Sequence, residues 1–299
     1  MSKPKLIVIL GTTACGKSGL GVALAKKYNG EIISADSRQV YRGLDLGTGK
    51  VTAEEMEGVP HHLLDVAEPG EQYSVARFQQ EAYAAIDGIL ARGNLPFLVG
   101  GTGLYVRAVS EGYVFHEAPP DPALRAELEA LPTEELRARL TEAGVALDED
   151  CFHNRPRLVR LLEKVQNGED PHTERTLCPR YEVLTLGINF PRETVCRRID
   201  ERLITRLEAG MVEEVANLRK NGVSDEFLEG LGLEYRYILR YLTGAIPSEE
   251  QLIEELGRAI KRFAKRQVSW FKKDRDVHWL DMERDPAAEA GALIETFLL

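Results

Sequence analysis

Apolar and polar positions alternate between two periods along this chain, and each change of period marks an element. Leu6-Ile7-Val8-Ile9-Leu10 is an unbroken apolar run of strand length, rich in β-branched residues. That is the pattern of a strand buried on both faces of a parallel sheet. Glu31 to Ala35 and Leu95 to Val99 repeat it, Leu63 to Val66 is a shorter candidate, and Tyr181 to Ile188 returns to it late in the chain. Between these runs the spacing becomes helical. Lys17 to Tyr28 is the first such segment; in Tyr73 to Arg92, residues Val75, Phe78, Ala82, Ile86, Ile89 and Leu90 share a face. Arg192 to Leu207 and Ser248 to Phe271 predict two more helices, while the Gly-rich, polar stretch from Asp45 to Pro60 reads as loop with a short helix. Strands alternating with helices predict an α/β fold built on a parallel sheet.

That alternation is interrupted. From Glu111 to about Arg180 the strand signal disappears, and helical segments follow at Ala123 to Ala130, Thr133 to Ala143 and Arg157 to Val165. The stretch opens on turn chemistry at Pro119-Pro120-Asp121-Pro122; Pro132-Thr133-Glu134-Glu135 and Pro156 fit helix starts. The pattern predicts a core from residues 1–112 and 181–299, with a mostly helical insertion domain over 113–180.

Candidate chemistry gathers at the ends of the strands. Gly11-Thr12-Thr13-Ala14-Cys15-Gly16-Lys17-Ser18 follows the first strand directly, opens the first helix, and matches G-x-x-x-x-G-K-[ST]. The glycines let backbone N–H groups turn inward on a phosphate, the helix adds its positive end, Lys17 supplies a point charge, and Ser18 a hydroxyl for Mg²⁺. The core is therefore a P-loop NTPase-like parallel sheet flanked by helices, and a di- or triphosphate is its ligand. Asp36 ends the second strand on the same edge, placed either to act as a general base, to hold a second substrate, or to cap the following turn. The strand Leu95 to Val99 ends in Gly100-Gly101-Thr102-Gly103 with no acidic residue, which weakens an ordinary NTPase reading. Arg198 and Arg202 stand four apart on one helix, either salt-bridged to neighbours such as Asp200 and Glu201 or clamping a diphosphate. His61 and His62 are adjacent, so they read as structural rather than as metal ligands.

Composition narrows the class. The chain has 299 residues, 43% of them hydrophobic, enough for a sizeable core, yet no apolar run approaches the ~20 residues that span a bilayer. The N-terminal apolar run leads into the phosphate loop and is not read as a signal peptide. Four scattered cysteines, Cys15, Cys151, Cys178 and Cys196, point to a reducing compartment without a zinc site, so the expected location is cytoplasmic. The net charge of −10 opposes nucleic-acid binding by the molecule as a whole. The charge is polarised, however. Arg258, Lys261, Arg262, Lys265 and Arg266 form one stripe on the last long helix, followed by Trp270 and Phe271, and basic residues with aromatics suit an RNA backbone and its bases. Arg157, Arg160 and Lys164 share a face that is either solvated or in contact with phosphate.

Five stretches together resemble one family. The phosphate loop, Asp36-Ser37-Arg38-Gln39-Val40-Tyr41-Arg42-Gly43, Pro60-His61-His62-Leu63-Leu64-Asp65, Gly100-Gly101-Thr102-Gly103-Leu104-Tyr105 and Ala264-Lys265-Arg266-Gln267-Val268-Ser269-Trp270-Phe271 are similar, in order, to the tRNA dimethylallyltransferase (tRNA isopentenyltransferase) family. The resemblance implies transfer of a dimethylallyl group from dimethylallyl diphosphate to N6 of the adenosine just 3′ of the anticodon, in tRNAs reading codons that begin with U. It implies that Gly11, Thr12, Thr13, Ala14, Cys15, Gly16, Lys17 and Ser18 hold the diphosphate, with Mg²⁺ on Ser18. It implies catalytic roles for Asp36, Thr102 and Arg198. Asp36, Ser37, Arg38, Gln39 and Thr102 would meet the flipped base and its neighbours, Arg125, Arg157 and Arg160 the anticodon stem-loop, and Lys261, Lys265 and Arg266 more distant phosphates. Thr12 and Cys15 replace the family's usual proline and serine, Ser269 its threonine, and Gly232-Leu233-Glu234-Tyr235 its Gly-Tyr-x-Glu, so no role is assigned to that last stretch. No C-x-x-C/His zinc finger follows, which favours the bacterial type, and a monomer is expected. The competing readings are an adenylate isopentenyltransferase acting on free nucleotide, a P-loop small-molecule kinase, and a non-enzymatic RNA-binding protein.

Overall fold

The computed structural model describes residues 3–115, 121–171 and 176–299. It divides into two compact units, residues 1–112 with 179–299, and residues 113–178.

The first unit opens with β1 (Lys5–Leu10), α1 (Lys17–Lys27), β2 (Gly30–Ser34), β3 (His61–His62), α2 (Val75–Ala91), β4 (Leu95–Gly100) and α3 (Gly103–Ser110). The second unit holds α4 (Pro122–Ala130), α5 (Thr133–Glu142), α6 (Glu149–Phe152) and α7 (Arg155–Gln166). The chain then returns to the first unit with β5 (Glu182–Asn189), α8 (Arg192–Glu208), α9 (Met211–Lys220), α10 (Asp225–Leu231), α11 (Leu233–Leu242), α12 (Glu249–Phe271), β6 (Val277–Asp281) and α13 (Pro286–Leu298).

The six strands form one parallel sheet in the order β3-β2-β4-β1-β5-β6. β1 is central and buried from Leu6 to Leu10, as its unbroken apolar run requires. Leu6, Val8 and Leu10 face a cluster with Phe78, Ile86, Leu98 and Val109, and Ile7 and Ile9 face the opposite cluster with Leu24, Ile32, Phe97 and Ile294. Helices α2 and α3 therefore cover one face, α1 and α13 the other. Each such side chain contributes roughly 1.5–3 kcal/mol by leaving water. The chain order reverses beside β1, which puts the crevice of the sheet at the loop that follows it. No helix among the described residues is long and apolar enough to cross a membrane.

Two local expectations fail. The strand predicted from Leu63 to Val66 stops at His62, because Leu63 and Asp65 take positive φ angles of 63° and 55° and leave extended geometry. Residues 45–60 contain turns and no α-helix. The adjacent histidines are structural: His62 Nε2 lies 2.7 Å from Glu31, and His61 Nδ1 lies 2.9 Å from the Val59 carbonyl. Glu31 also accepts from Arg92 at 2.9 and 2.7 Å and from Asn94 at 2.7 Å; chiefly the Arg92 bonds hold its carboxyl down to about 2.

A third cluster joins α8 to α12 with the loop after β2. Leu203, Met211, Val215, Tyr235, Ile238, Leu252, Leu256 and Ile260 interlock there with Val40 and Leu44. α12 is capped at its start by Ser248, whose hydroxyl accepts from the Gln251 N–H at 3.3 Å. The second unit has its own core of Leu128, Leu136, Leu140, Leu158, Val159 and Leu162. Asn154 caps α7 and Pro156 occupies its first turn. Pro119 and Pro120 lie outside the described residues.

Candidate functional site

The site grows from the end of β1. Gly16 has φ +85°, the left-handed turn that lets the loop close and start α1 at Lys17. Ala14 is also left-handed (φ 59°), and Thr12 and Cys15 are buried. Lys17 Nζ donates to the Thr12 carbonyl at 3.3 Å, folded over its own loop.

The far end of α12 closes this loop. Thr13 N–H donates to Gln267 Oε1 at 3.0 Å, and Gln267 Nε2 donates to the Gly101 carbonyl at 2.9 Å. One amide thus straps the phosphate loop to the glycine turn after β4. At that turn Thr102 is the N-cap residue of α3; its Oγ1 accepts from the Ser37 N–H at 3.1 Å and donates to Ser37 Oγ at 3.4 Å. Asp36 Oδ1 accepts from the Arg38 N–H at 3.0 Å. Asp36 therefore caps the turn with that oxygen, and it also lines the cleft.

The cleft measures about 390 Å³. Thr13, Lys17, Ser18, Asp36, Ser37, Arg38, Gln39 and Thr102 line it, so the loop, the β2 end and the β4 end meet in one place. Helices α8, α11 and α12 supply the opposite wall with Arg202, Leu233, Glu234, Phe263, Arg266 and Trp270.

Several of these were not legible as site residues. Arg202 has weight only as half of a pair in the sequence, yet it is the member in the cleft. It forms no ion pair among the described residues and is exposed toward solvent; desolvation by the groups packed on its guanidinium, with Arg206 adding repulsion against the pull of Glu234 and Glu55, lowers its pKa to about 10. Arg198, one turn earlier, stands beside the loop instead, 3.6 Å from where a Cβ on Gly16 would lie, over the Phe190 ring at 4.9 Å. Glu234, in the stretch to which no role is assigned above, is 7% exposed and lies 3.5 Å from Arg38 and 3.9 Å from Arg206. Its signal was the Gly232-Leu233 pair, whose left-handed angles (77° and 34°) turn α11 into the cleft. Gln267 was visible only as part of a motif.

The basic stripe divides by partner. Arg258 pairs with Glu254 at 2.5 Å and Lys261 with Asp200 at 2.6 Å, whereas Lys265 is exposed and Arg266 reaches the cleft, 5.8 Å from the Phe263 ring. Phe271 is 2% exposed and packs in the core beneath the cleft, whereas Trp270 is partly exposed in the cleft lining with Arg107 at 4.3 Å from its ring. In the second unit the chosen arginines are paired. Arg125 lies 3.1 Å from Glu129 and 3.5 Å from the buried Glu163, Arg160 lies 3.0 Å from Glu163, and Arg157 lies 3.5 Å from Asp148.

The comparisons with known proteins agree with one another. A family model described as IPP transferase matches residues 39–274, and one described as Isopentenyl transferase matches residues 4–68. A tRNA dimethylallyltransferase 2 of Shewanella sediminis is 46% identical over 290 residues, covering 95% of this chain and 96% of its own. A tRNA dimethylallyltransferase of an Exiguobacterium species is 44% identical over 290 residues, covering 95% and 92%. Among solved structures, the full-length tRNA isopentenylpyrophosphate transferase of Bacillus halodurans superposes with a TM-score of 0.76 at 37% identity, covering 98% of this chain and 96% of that one. A eukaryotic dimethylallyltransferase acting on tRNA gives 0.77 at 28% identity, covering 97% and 78%.

Proposed function

The chain belongs to the IPP transferase family, and from that premise we propose that it transfers a dimethylallyl group from dimethylallyl diphosphate to an adenosine of tRNA, releasing diphosphate. The acceptor in this reading is N6 of the unpaired adenosine 3′ of the anticodon, in tRNAs that read codons beginning with U. The observation that carries it is the single cleft in which Thr13, Lys17, Ser18, Asp36 and the unpaired Arg202 meet.

The chemistry follows from those groups. An exocyclic adenine amine is a weak nucleophile, because the ring withdraws its lone pair. Asp36 takes the amine proton as the new C–N bond forms, using an oxygen that the Arg38 N–H leaves free. The departing diphosphate carries growing negative charge into the loop N–H groups, Lys17 and the Arg202 guanidinium, all fixed before reaction. Arg198 supports the loop from beside Gly16. The base must leave its stack to enter the cleft, at lower cost from an anticodon loop than from a duplex. Ser37, Gln39, Thr102 and Arg38 then hold it.

Magnesium fits this donor set. Among the described residues no cluster of three or more His, Cys, Asp or Glu could hold a metal by itself, but a hydroxyl from Ser18 beside one carboxylate suits an ion that keeps most of its waters and takes phosphate oxygens. It would neutralise charge on the leaving diphosphate. The insertion and the Lys265–Arg266 end of the stripe grip the anticodon stem-loop, and the enzyme acts as a monomer.

The test is transfer of label from dimethylallyl diphosphate, with magnesium, into unmodified tRNA, alongside free AMP and a tRNA lacking that adenosine. Label in the intact tRNA alone is expected. Label in AMP would move the activity to free nucleotide, and ATP consumption without label would make the loop a kinase site.

A further inference from the structure

The loop after β2 is held by a residue that the reaction above does not use. Three successive amides, those of Asp45, Leu46 and Gly47, donate to the carboxylate of Glu214 at 3.0, 2.7 and 3.0 Å. Consecutive N–H groups converging in this way form an anion nest. Here the anion is internal, carried by the first turn of α9. A fourth donor completes it: the Tyr235 hydroxyl, from α11, lies 2.8 Å from Glu214 Oε1. Burial drives that phenol's pKa far upward, so it stays protonated and donating.

The same segment reaches the cleft from its other side. Gly47, Thr48 and Gly49 line it; Glu214 does not. The Gly49 carbonyl accepts from Gln39 Nε2 at 3.2 Å. A Cβ on Gly49 would fall 1.5 Å from a nitrogen of Arg206 and 2.9 Å from one of Arg202, so bare backbone is the surface against which both guanidinia pack. A Cβ on Gly47 would lie 2.5 Å from the Tyr235 ring, so the ring and the carboxylate grip the loop together. Lys50 ties the two ends of the loop to each other and to its base, pairing with Asp45 at 2.6 Å and Asp65 at 2.5 Å and donating to the Tyr41 carbonyl at 2.9 Å, but makes no contact to the amides of residues 46 and 47.

We propose that Glu214, seated by Tyr235, is a positioning residue that holds residues 45–49 as a wall of the cleft and through that wall orients Gln39 and the Arg202–Arg206 pair toward the bound substrates. The assignment rests on reading the cleft as the site of transfer. An adenine entering it must find the Gln39 amide already aimed, and an amide whose partner carbonyl wanders spends its time in the wrong rotamer.

The test pairs hydrogen exchange with kinetics in Glu214→Gln and Tyr235→Phe. Glu214→Gln keeps the shape but loses the charge and turns an N–H₂ toward the loop amides. Amides 45–47 should exchange at least about tenfold faster, with the core strands unchanged. kcat/KM for tRNA should fall about 10–100-fold, and Gln39→Ala added to Glu214→Gln should cost no more than the worse single variant, because both act on one contact. Tyr235→Phe, which removes one donor of four, should repeat the pattern at about 3–10-fold and carries the test if Glu214→Gln does not fold. Unchanged exchange at 45–47 would overturn the anchor. Faster exchange with kcat/KM within twofold, or fully multiplicative losses in the double variant, would overturn the coupling to catalysis. If no variant, nor the wild type, prenylates tRNA, the transfer reading fails, while exchange at 45–47 still decides the anchor.

Discussion

Arginines in the cleft and arginines in the insertion look alike in the sequence and differ in their partners. In the insertion Arg125 and Arg160 converge on Glu163, which is 1% exposed, and Arg157 meets Asp148. Their charge is matched within the fold. In the cleft Arg202 is exposed and forms no ion pair among the described residues, and the packing around its guanidinium lowers its pKa to about 10. A matched arginine has part of its charge answered within the fold before any ligand arrives. An exposed one without an ion pair, drawn only at longer range by Glu234 and Glu55, keeps its charge available to an anion in the cleft. Partner count, which helical spacing does not show, distinguishes Arg202 from the insertion arginines, while Arg38, in the cleft yet 3.5 Å from Glu234, stands between them.

The sharpest way to break this contrast lies beside it in the cleft. Asp36→Asn keeps an oxygen for the Arg38 N–H and removes the base, so single-turnover transfer should fall about 10²–10⁴-fold with tRNA binding retained. A rate within threefold of wild type would remove Asp36 from proton transfer. Arg202→Gln should separate activity from stability. kcat/KM for dimethylallyl diphosphate should drop about 10–100-fold, while the melting temperature of the free protein changes by less than about 2 °C, since an exposed guanidinium without an ion pair holds little of the fold. A fall in both would mean that Arg202 is structural after all.

Arg125→Met should do the reverse, costing about 1–3 kcal/mol in urea denaturation, because Glu163 keeps only Arg160, with transfer changed less than threefold. A large catalytic loss at unchanged stability would make Arg125 a binding residue. The smallest effect should be in the stripe. Lys265→Glu with Arg266→Glu should lower the slope of log K against log salt for tRNA by about 1–2, roughly one phosphate per side chain. Lys261→Gln alone should barely change it, since its ammonium already rests on Asp200. Equal slopes for all three would dissolve the distinction between paired and unpaired cations.

Much of the fold was legible because it is local. β1, α1, α2 and β4 fall within a residue or two of the expected bounds, since an unbroken apolar run and a 3.6-residue stripe each admit one buried geometry. β6 escaped notice because Val277 to Asp281 alternates weakly, and α9, α10 and α11 because they are short, mixed in polarity and set by packing against α8 and α12. The predicted strand at Leu63 to Val66 had the right composition and lost to two left-handed residues that no propensity announces.

The chain by itself determined the phosphate loop, because strand, glycine turn, lysine and helix start are consecutive and need only backbone geometry to converge. It likewise placed Asp36 and Thr102 at strand ends on one edge of the sheet, since parallel strands put their carboxyl ends together. Only the tertiary structure decided the opposite wall. Arg202, Glu234 and Gln267 reach the cleft from three helices, and Glu214 holds the loop beside it from a fourth, all through packing of α8, α9, α11 and α12, which local periodicity cannot encode. A side chain's charge is written in the sequence; whether a carboxylate lies within reach of it is set by contacts between residues that the chain keeps tens or hundreds of positions apart.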